Sequence, residues 1–290
     1  MPTKIEKDVI SGQHTTGHVW DGLQELDTPM PKWWVYVFLA SIVFAVVYCV
    51  LYPSIPLGKT VYEGTLGYSS RRDAMDGVKE MQAKRSVIMD KIAKTSITDI
   101  EKNPQLRETA REVGSLAFAN NCQPCHGAGG QGRSGFPPLN TDFWLWGGTL
   151  QDIQKIVTHG IRSADPDALQ SQMPNFGTDG ILKPEQIQQV ADYVSVKLFG
   201  NSEPNVDTAP GQKIFADNCV VCHGDKGQGN RDVGAPPLAS KVHLYGGTRD
   251  LVVAQVTHPR HGVMPNWNAR LDPATIKSVV IYVHSLGGGE

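Results

Sequence analysis

Residues 122–126 read Cys122-Gln123-Pro124-Cys125-His126, and residues 219–223 repeat the pattern as Cys219-Val220-Val221-Cys222-His223. Two thiols three apart, followed at once by an imidazole, match the attachment signature of a c-type haem. Each residue has a chemical job. The thiols of Cys122 and Cys125 add to the two vinyl groups of a porphyrin as thioethers, and His126 presents its imidazole to the iron from one face. The rival readings are half of a zinc site and a redox dithiol. Zinc needs four ligands gathered in one place, whereas two complete units stand here 97 residues apart. A tethered haem cannot leave, so the chain must fold around two of them as cores.

Composition agrees with that constraint. The chain has 290 residues, 30 of them Gly and 19 Pro, and many of these cluster after each Cys pair. Loops wrapped on a large prosthetic group account for this better than a regular sheet. Four of the five cysteines belong to the two motifs. The fifth, Cys49, lies in an apolar run and reads as a small buried apolar residue, which leaves no pair for a disulfide framework. The net charge of -2 gives no support to a nucleic-acid partner.

Around the motifs the chain is duplicated. Gly114-x-x-x-Phe118 precedes Cys122 as Gly211-x-x-x-Phe215 precedes Cys219. Gly-Gln-Gly follows at 130–132 and 227–229, Pro-Pro-Leu at 137–139 and 236–238, Gly-Gly-Thr at 147–149 and 246–248. Val-Thr-His comes next at 157–159 and 256–258, then Met-Pro-Asn-aromatic at 173–176 and 264–267. Each copy closes with a helical pattern, over 184–198 and 273–286, with Ile187, Val190 and Val194 on one face and Ile276, Val279, Val280 and Val283 on the other's. The repeats are therefore placed at 105–200 and 206–290.

After the Cys motifs only two methionines remain, Met173 and Met264, each followed by Pro and matched in the repeat. A thioether is a soft neutral ligand that favours ferrous iron and raises the haem potential. Pairing by order along the chain gives axial ligands His126 and Met173 for haem 1, and His223 and Met264 for haem 2. Both irons are then saturated, which suits electron transfer and leaves no open position for a substrate. His159 and His258 are the alternative second ligands. A ligating histidine donates its other N–H to a fixed acceptor. The carbonyls of Pro137 and Pro236 are in position for this, with Leu139 and Leu238 packing the porphyrin.

Residues 33–52 carry no charge: WWVYVFLASIVFAVVYCVLY. Twenty apolar residues make a helix long enough for a hydrocarbon core of about 30 Å. Trp33, Trp34 and Tyr36 at one end, and Tyr48 and Tyr52 at the other, read as interfacial belts. A cleaved signal peptide would start sooner, be shorter and end in small residues, so the segment reads as an uncleaved single-span anchor. Lys59, Arg71 and Arg72 outnumber Lys32, which alone would favour a cytoplasmic C-terminus. Large domains translocate regardless of such charges, and c-type haem is attached outside the cytoplasmic membrane. Residues 1–32 are accordingly expected in the cytoplasm and everything after Pro53 in the periplasm. Trp20, Leu23 and Leu26, three apart, fit either one face of a short helix or a solvated tail. Residues 53–104 form a linker, looped to Ser70 and helical from about Arg72 to Lys94.

Each repeat resembles a class I cytochrome c: N-terminal helix, Cys-x-x-Cys-His, Met loop, and a C-terminal helix packed across the first. The N-terminal third narrows the match. The run from Val19 to Trp34 (VWDGLQELDTPMPKWW), the single span, Tyr52-Pro53 and Gly64-Thr-Leu-Gly-Tyr-Ser-Ser70 resemble the dihaem subunit, CcoP or FixP type, of cbb3-type cytochrome c oxidase. The resemblance implies an all-α fold: one transmembrane helix followed by two tandem class I cytochrome c domains. It implies two covalent c-type haems and partnership with a haem-copper catalytic subunit, a monohaem cytochrome c subunit and membrane lipid. Electrons would come from a soluble cytochrome c and pass on toward the oxygen site, which this subunit would not itself hold. A single span makes the chain the short form of that family. A cytochrome of a quinol-linked dehydrogenase is the alternative. A dihaem peroxidase fits less well, since it needs one five-coordinate haem.

Overall fold

In the computed structural model of the chain, residues 4–290 are described, and they divide into two compact units, one reaching to Gln82 and one from Ala83 to Glu290. The first unit opens with a hairpin, β1 (Thr15–Trp20) pairing antiparallel with β2 (Leu23–Leu26), Trp20 opposite Leu23. Asp21 and Gly22, between the strands, both have positive φ, 49° and 83°. That is the type I′ geometry Asp-Gly favours, whose twist matches paired strands. The turn corrects the choice between helix and tail: the three-residue spacing of Trp20, Leu23 and Leu26 is broken by a two-residue reversal.

Helix α1 (Lys32–Leu51) has a mean hydropathy of 2.5 and none of its side chains fully buried against protein. At 1.5 Å per residue its 20 residues reach about 30 Å. The helix is long and apolar enough to cross a membrane. Trp34 stacks on Phe38 at 5.5 Å near one end, and Tyr48 on Tyr52 at 4.7 Å near the other. A two-residue hairpin follows, β3 (Pro56–Leu57) with β4 (Thr60–Val61), and then the long helix α2 (Ser70–Lys94).

The second unit is helical throughout apart from its loops. Helix α3 spans Ile97–Lys102, and α4 spans Pro104–Asn121. Asn103 accepts from the amides of Gln105 and Leu106, both at 3.1 Å, and Pro104 occupies the first helical position. That position has no partner for an N–H, so a proline there loses nothing. One-turn helices α5 (Gln123–His126) and α9 (Val220–His223) carry the Cys motifs. Helix α6 (Leu150–His159) starts at the Gly-Gly-Thr signal: Thr149 and Asp152 cap each other reciprocally. Its counterpart is α10 (Arg249–Thr257). The closing helices are α7 (Pro184–Tyr193), which runs on as a π turn over Val194–Leu198, and α11 (Pro273–His284); α8 (Ala209–Asn218) opens the second repeat.

Their pairing differs from the expectation. Helix α4 packs on α11, and α8 packs on α7. The first helix of each repeat therefore lies across the last helix of the other. Gly114 shows how close the approach is: a Cβ there would stand 2.0 Å from the Ser278 carbonyl oxygen and 2.8 Å from Tyr282 Cβ. Gly211 repeats the contact, 2.0 Å from the Gln189 oxygen and 2.9 Å from Tyr193 Cβ. One turn on, Phe118 meets Tyr282 at 5.3 Å and 54°, and Phe215 meets Tyr193 at 5.3 Å and 49°. Two buried clusters result. One joins Phe118, Ile153 and Val157 to Val279, Val280 and Val283. The other joins Phe215, Val252 and Val256 to Ile187, Val190 and Val194. Full burial of such side chains stabilises by roughly 1.5–3 kcal/mol each, and half of each set comes from the other repeat.

Candidate haem centres

Helix α4 ends by delivering Cys122 to the top of α5. The amides of Cys125 and His126 bond back to the Cys122 carbonyl at 3.1 and 2.9 Å, and this single turn sets two thiols and an imidazole on one side. The second motif is built identically, with Cys222 and His223 bonding to the Cys219 carbonyl at 3.2 and 2.9 Å. All four cysteines are free and half-buried.

His126 Nδ1 lies 3.0 Å from the Pro137 carbonyl oxygen, and His223 Nδ1 lies 3.1 Å from that of Pro236. A carbonyl can only accept, so Nδ1 carries the proton and donates in each case. Nε2 is left with its lone pair, which is the form a metal needs. Burial pushes both imidazoles below the usual histidine range, against the opposing pull of the proline carbonyls. The charged, non-ligating form is thus disfavoured. Burial also raises the thiols of Cys122 and Cys219 to about 11, with the neighbouring Cys125 and Cys222 adding to the effect.

The cavity beside the first motif is apolar. Its lining includes Phe118, Cys122 and His126, Pro137, Leu139 and Trp144, and Met264, Val279 and Val283. These residues fit the apolar faces of a porphyrin: a greasy slot with the Cys122 thiol and the His126 imidazole in its lining, and Cys125 on the same helical turn. The methionine that lines it comes from the second repeat. Met264 exchanges both backbone hydrogen bonds with Ile161, at 2.9 and 3.0 Å, and the amides of Trp267 and Asn268 reach the Thr158 carbonyl at 3.2 and 3.3 Å. The C-terminal end of α6 therefore holds the Met264 loop in place.

The second site mirrors the first. Met173 packs in the cluster of Cys219, Val220, Leu238 and Phe215, and the amides of Gly177 and Thr178 reach the Thr257 carbonyl at 3.2 and 3.1 Å. Order along the chain pairs His126 with Met173 and His223 with Met264, whereas the structure sets each Cys motif in one cluster with the methionine of the other repeat. The reason is the helix pairing. Met264 precedes α11 by only nine residues, and α11 lies on α4. Of the alternative ligands, His159 is committed to Asp165, 3.1 Å away, and His258 is exposed. A wider cleft beside Tyr52, Glu63 and Arg71 in the first unit has no thiol, imidazole or thioether among its lining residues, so it offers no haem ligands.

Two cross-repeat contacts escaped sequence reasoning. Arg162 donates from Nε to the Gly262 carbonyl at 2.6 Å and from Nη1 to the Ser171 carbonyl at 2.9 Å. Burial pushes the His261 imidazole below the usual histidine range, and the Met173 backbone beside it pulls the other way. Arg260, in the corresponding stretch of the second repeat, bonds the Tyr245 carbonyl instead, so the duplication that pointed to the candidate ligands passes over both contacts.

Fold and sites together define a dihaem c-type cytochrome anchored by one apolar helix. Residues 12–59 match the family described as the N-terminal domain of cytochrome oxidase-cbb3, FixP. Residues 112–196 match cytochrome c, and 206–283 match cytochrome c oxidase, cbb3-type, subunit III. The chain is 47% identical over 290 residues to the cbb3-type cytochrome c oxidase subunit FixP of Bradyrhizobium sp. (strain ORS 278), covering all of both chains. It is 47% identical over 291 residues to the subunit CcoP of Cereibacter sphaeroides, again covering both fully, and 47% identical over 292 residues to CcoP of Azospirillum brasilense, covering 98% of this chain and 99% of that one. The chain belongs to the FixP/CcoP family, the dihaem electron-transfer subunits of cbb3-type cytochrome c oxidase.

Proposed function

We propose that this chain relays electrons between a soluble cytochrome c and the monohaem and haem-copper catalytic subunits of a cbb3-type oxidase, whose oxygen reduction is coupled to proton pumping. When bound, a c-type haem supplies a one-electron ferric/ferrous couple. The chain's own residues do the rest. Cys122 and Cys125, and Cys219 and Cys222, hold the two groups covalently. His126 and His223 each offer Nε2 to one side of an iron, oriented by Pro137 and Pro236. Met264 serves the site of His126, and Met173 the site of His223. The apolar lining beside the first motif would keep water from a bound haem, and an imidazole with a thioether on each iron would leave no open position for substrate, which disfavours a peroxidase. The observation that carries this reading is the matched pair of buried clusters, each joining a Cys motif to a methionine, with each motif's imidazole held by a proline carbonyl. Residues 1–32 lie in the cytoplasm and the haem-bearing region in the periplasm of a bacterial inner membrane, as covalent haem attachment requires.

Purification in mild detergent tests the assembly: a haem-copper catalytic subunit is expected to come with the chain, and recovery with a quinol dehydrogenase alone would sink the proposal. Haem content tests the cofactor assignment. The wild-type chain is expected to stain for two covalent haems after denaturation, and Cys219→Ala with Cys222→Ala for one; two haems in that variant would refute the attachment.

A further inference from the structure

The methionine loops are each held by the end of a helix from the other repeat, but one side chain touches both. Arg162 reaches the carbonyls of Ser171 and Gly262, and these two residues occupy equivalent positions, each two before a methionine: Met173 and Met264. Its backbone is also tied in. The Arg162 amide donates to the Leu169 carbonyl at 2.8 Å, and its neighbour Ile161 is doubly bonded to Met264. Arg162 is one of three non-glycine residues with positive φ among the described residues, at 52°. That conformation is unfavourable for a residue with a Cβ and persists where surrounding contacts over-determine it. The arginine in the corresponding stretch of the second repeat, Arg260, donates to the Tyr245 carbonyl at 3.1 Å instead, so the duplication does not copy this contact.

We propose that Arg162 is a positioning residue shared by the two haem sites: by bonding to Ser171 and Gly262 it locks the two methionine loops to each other, so that neither thioether withdraws independently. The proposal rests on reading Met173 and Met264 as axial ligands. A guanidinium suits the task because its donors form a rigid planar fork, which fixes the spacing of two carbonyls as an ammonium cannot. It also leaves a half-buried positive charge beside both loops. A fixed cation favours the state with one more electron, so one residue raises both potentials together.

The test uses the full chain in detergent, with imidazole as a probe that displaces a loosely held thioether from ferric haem. In Arg162→Gln, imidazole is expected to bind at both haems about tenfold faster, the scale of one charged hydrogen bond lost per loop, and both potentials to fall. Arg162→Lys keeps the charge and loses the fork. It is expected to exchange as fast as Arg162→Gln while holding potentials near the wild type, and it carries the test if the glutamine variant fails to mature. Acceleration at one haem only, or at neither, overturns the shared lock. Met173→Ala and Met264→Ala run alongside: unchanged haem spectra in these would remove the ligation reading itself, whereas high-spin spectra with wild-type exchange in both Arg162 variants would remove only this proposal.

Discussion

In a chain carrying Cys219→Ala and Cys222→Ala, the one remaining haem is expected to turn high-spin on Met264→Ala and to stay low-spin on Met173→Ala. The background removes the second haem, so the spectrum reports on the site of Cys122, Cys125 and His126 alone. Met264 lines that site, and Met173 belongs to the other cluster. Losing the thioether opens an axial position and removes the ligand that stabilises ferrous iron. In the same background Met264→His keeps the iron six-coordinate and is expected to lower its potential by a substantial part of the roughly 0.8 V that axial ligands span. The mirror experiment, with Cys122 and Cys125 replaced, should make Met173 the sensitive residue. A remaining first haem that responds to Met173→Ala and ignores Met264→Ala would reinstate pairing within each repeat.

The proposed ligands were legible because each is marked locally. Cys-x-x-Cys-His forms one helical turn whatever surrounds it, Met-Pro occurs twice, and Pro137 and Pro236 stand where an imidazole N–H needs an acceptor. The pairing was not legible, because the duplication makes the two choices locally identical. Gly114 and Phe118 meet Ser278 and Tyr282 through the same contacts by which Gly211 and Phe215 meet Gln189 and Tyr193. Side-chain complementarity therefore cannot separate self from exchanged packing. Chain length can. Only ten residues separate the end of the Val194–Leu198 turn from α8 at Ala209, and a short connection favours neighbouring antiparallel helices. Once α7 takes α8, α4 is left for α11. That signal lies in the spacing from Phe199 to Thr208, between the repeats and not within them. The hairpin at Asp21-Gly22 is a similar case: a two-residue turn outweighed an apolar spacing that suited a helix.

The exchanged packing makes Gly114 a sensitive position of the first site. Gly114→Val is expected to destabilise the haem-bearing unit by at least about 3 kcal/mol, at or beyond the upper end for overpacked cores. The added Cβ would stand 2.0 Å from a backbone oxygen of α11, and backbone cannot swing aside as a side-chain tip can. Helices α4 and α11 would have to part, loosening Phe118 from Tyr282 and Ala110 and Leu106 from their shared cluster. Against a total stability of roughly 5–15 kcal/mol for a domain, that is a large fraction. Because the haem stays covalently attached to Cys122 and Cys125, a denaturing haem stain should still show two haems per chain. The first haem, however, should lose Met264, which moves with α11, and its ferric spectrum should gain a high-spin component at temperatures where the wild type is low-spin. Gly77→Ala is the control: Gly77 lies inside α2 with nothing within 4 Å of an added Cβ, and the change should be neutral or stabilising by up to about 1 kcal/mol from helix propensity. Equal melting temperatures for Gly114→Val and the wild type, or a Gly114→Val defect confined to the second haem, would contradict the packing of α4 on α11.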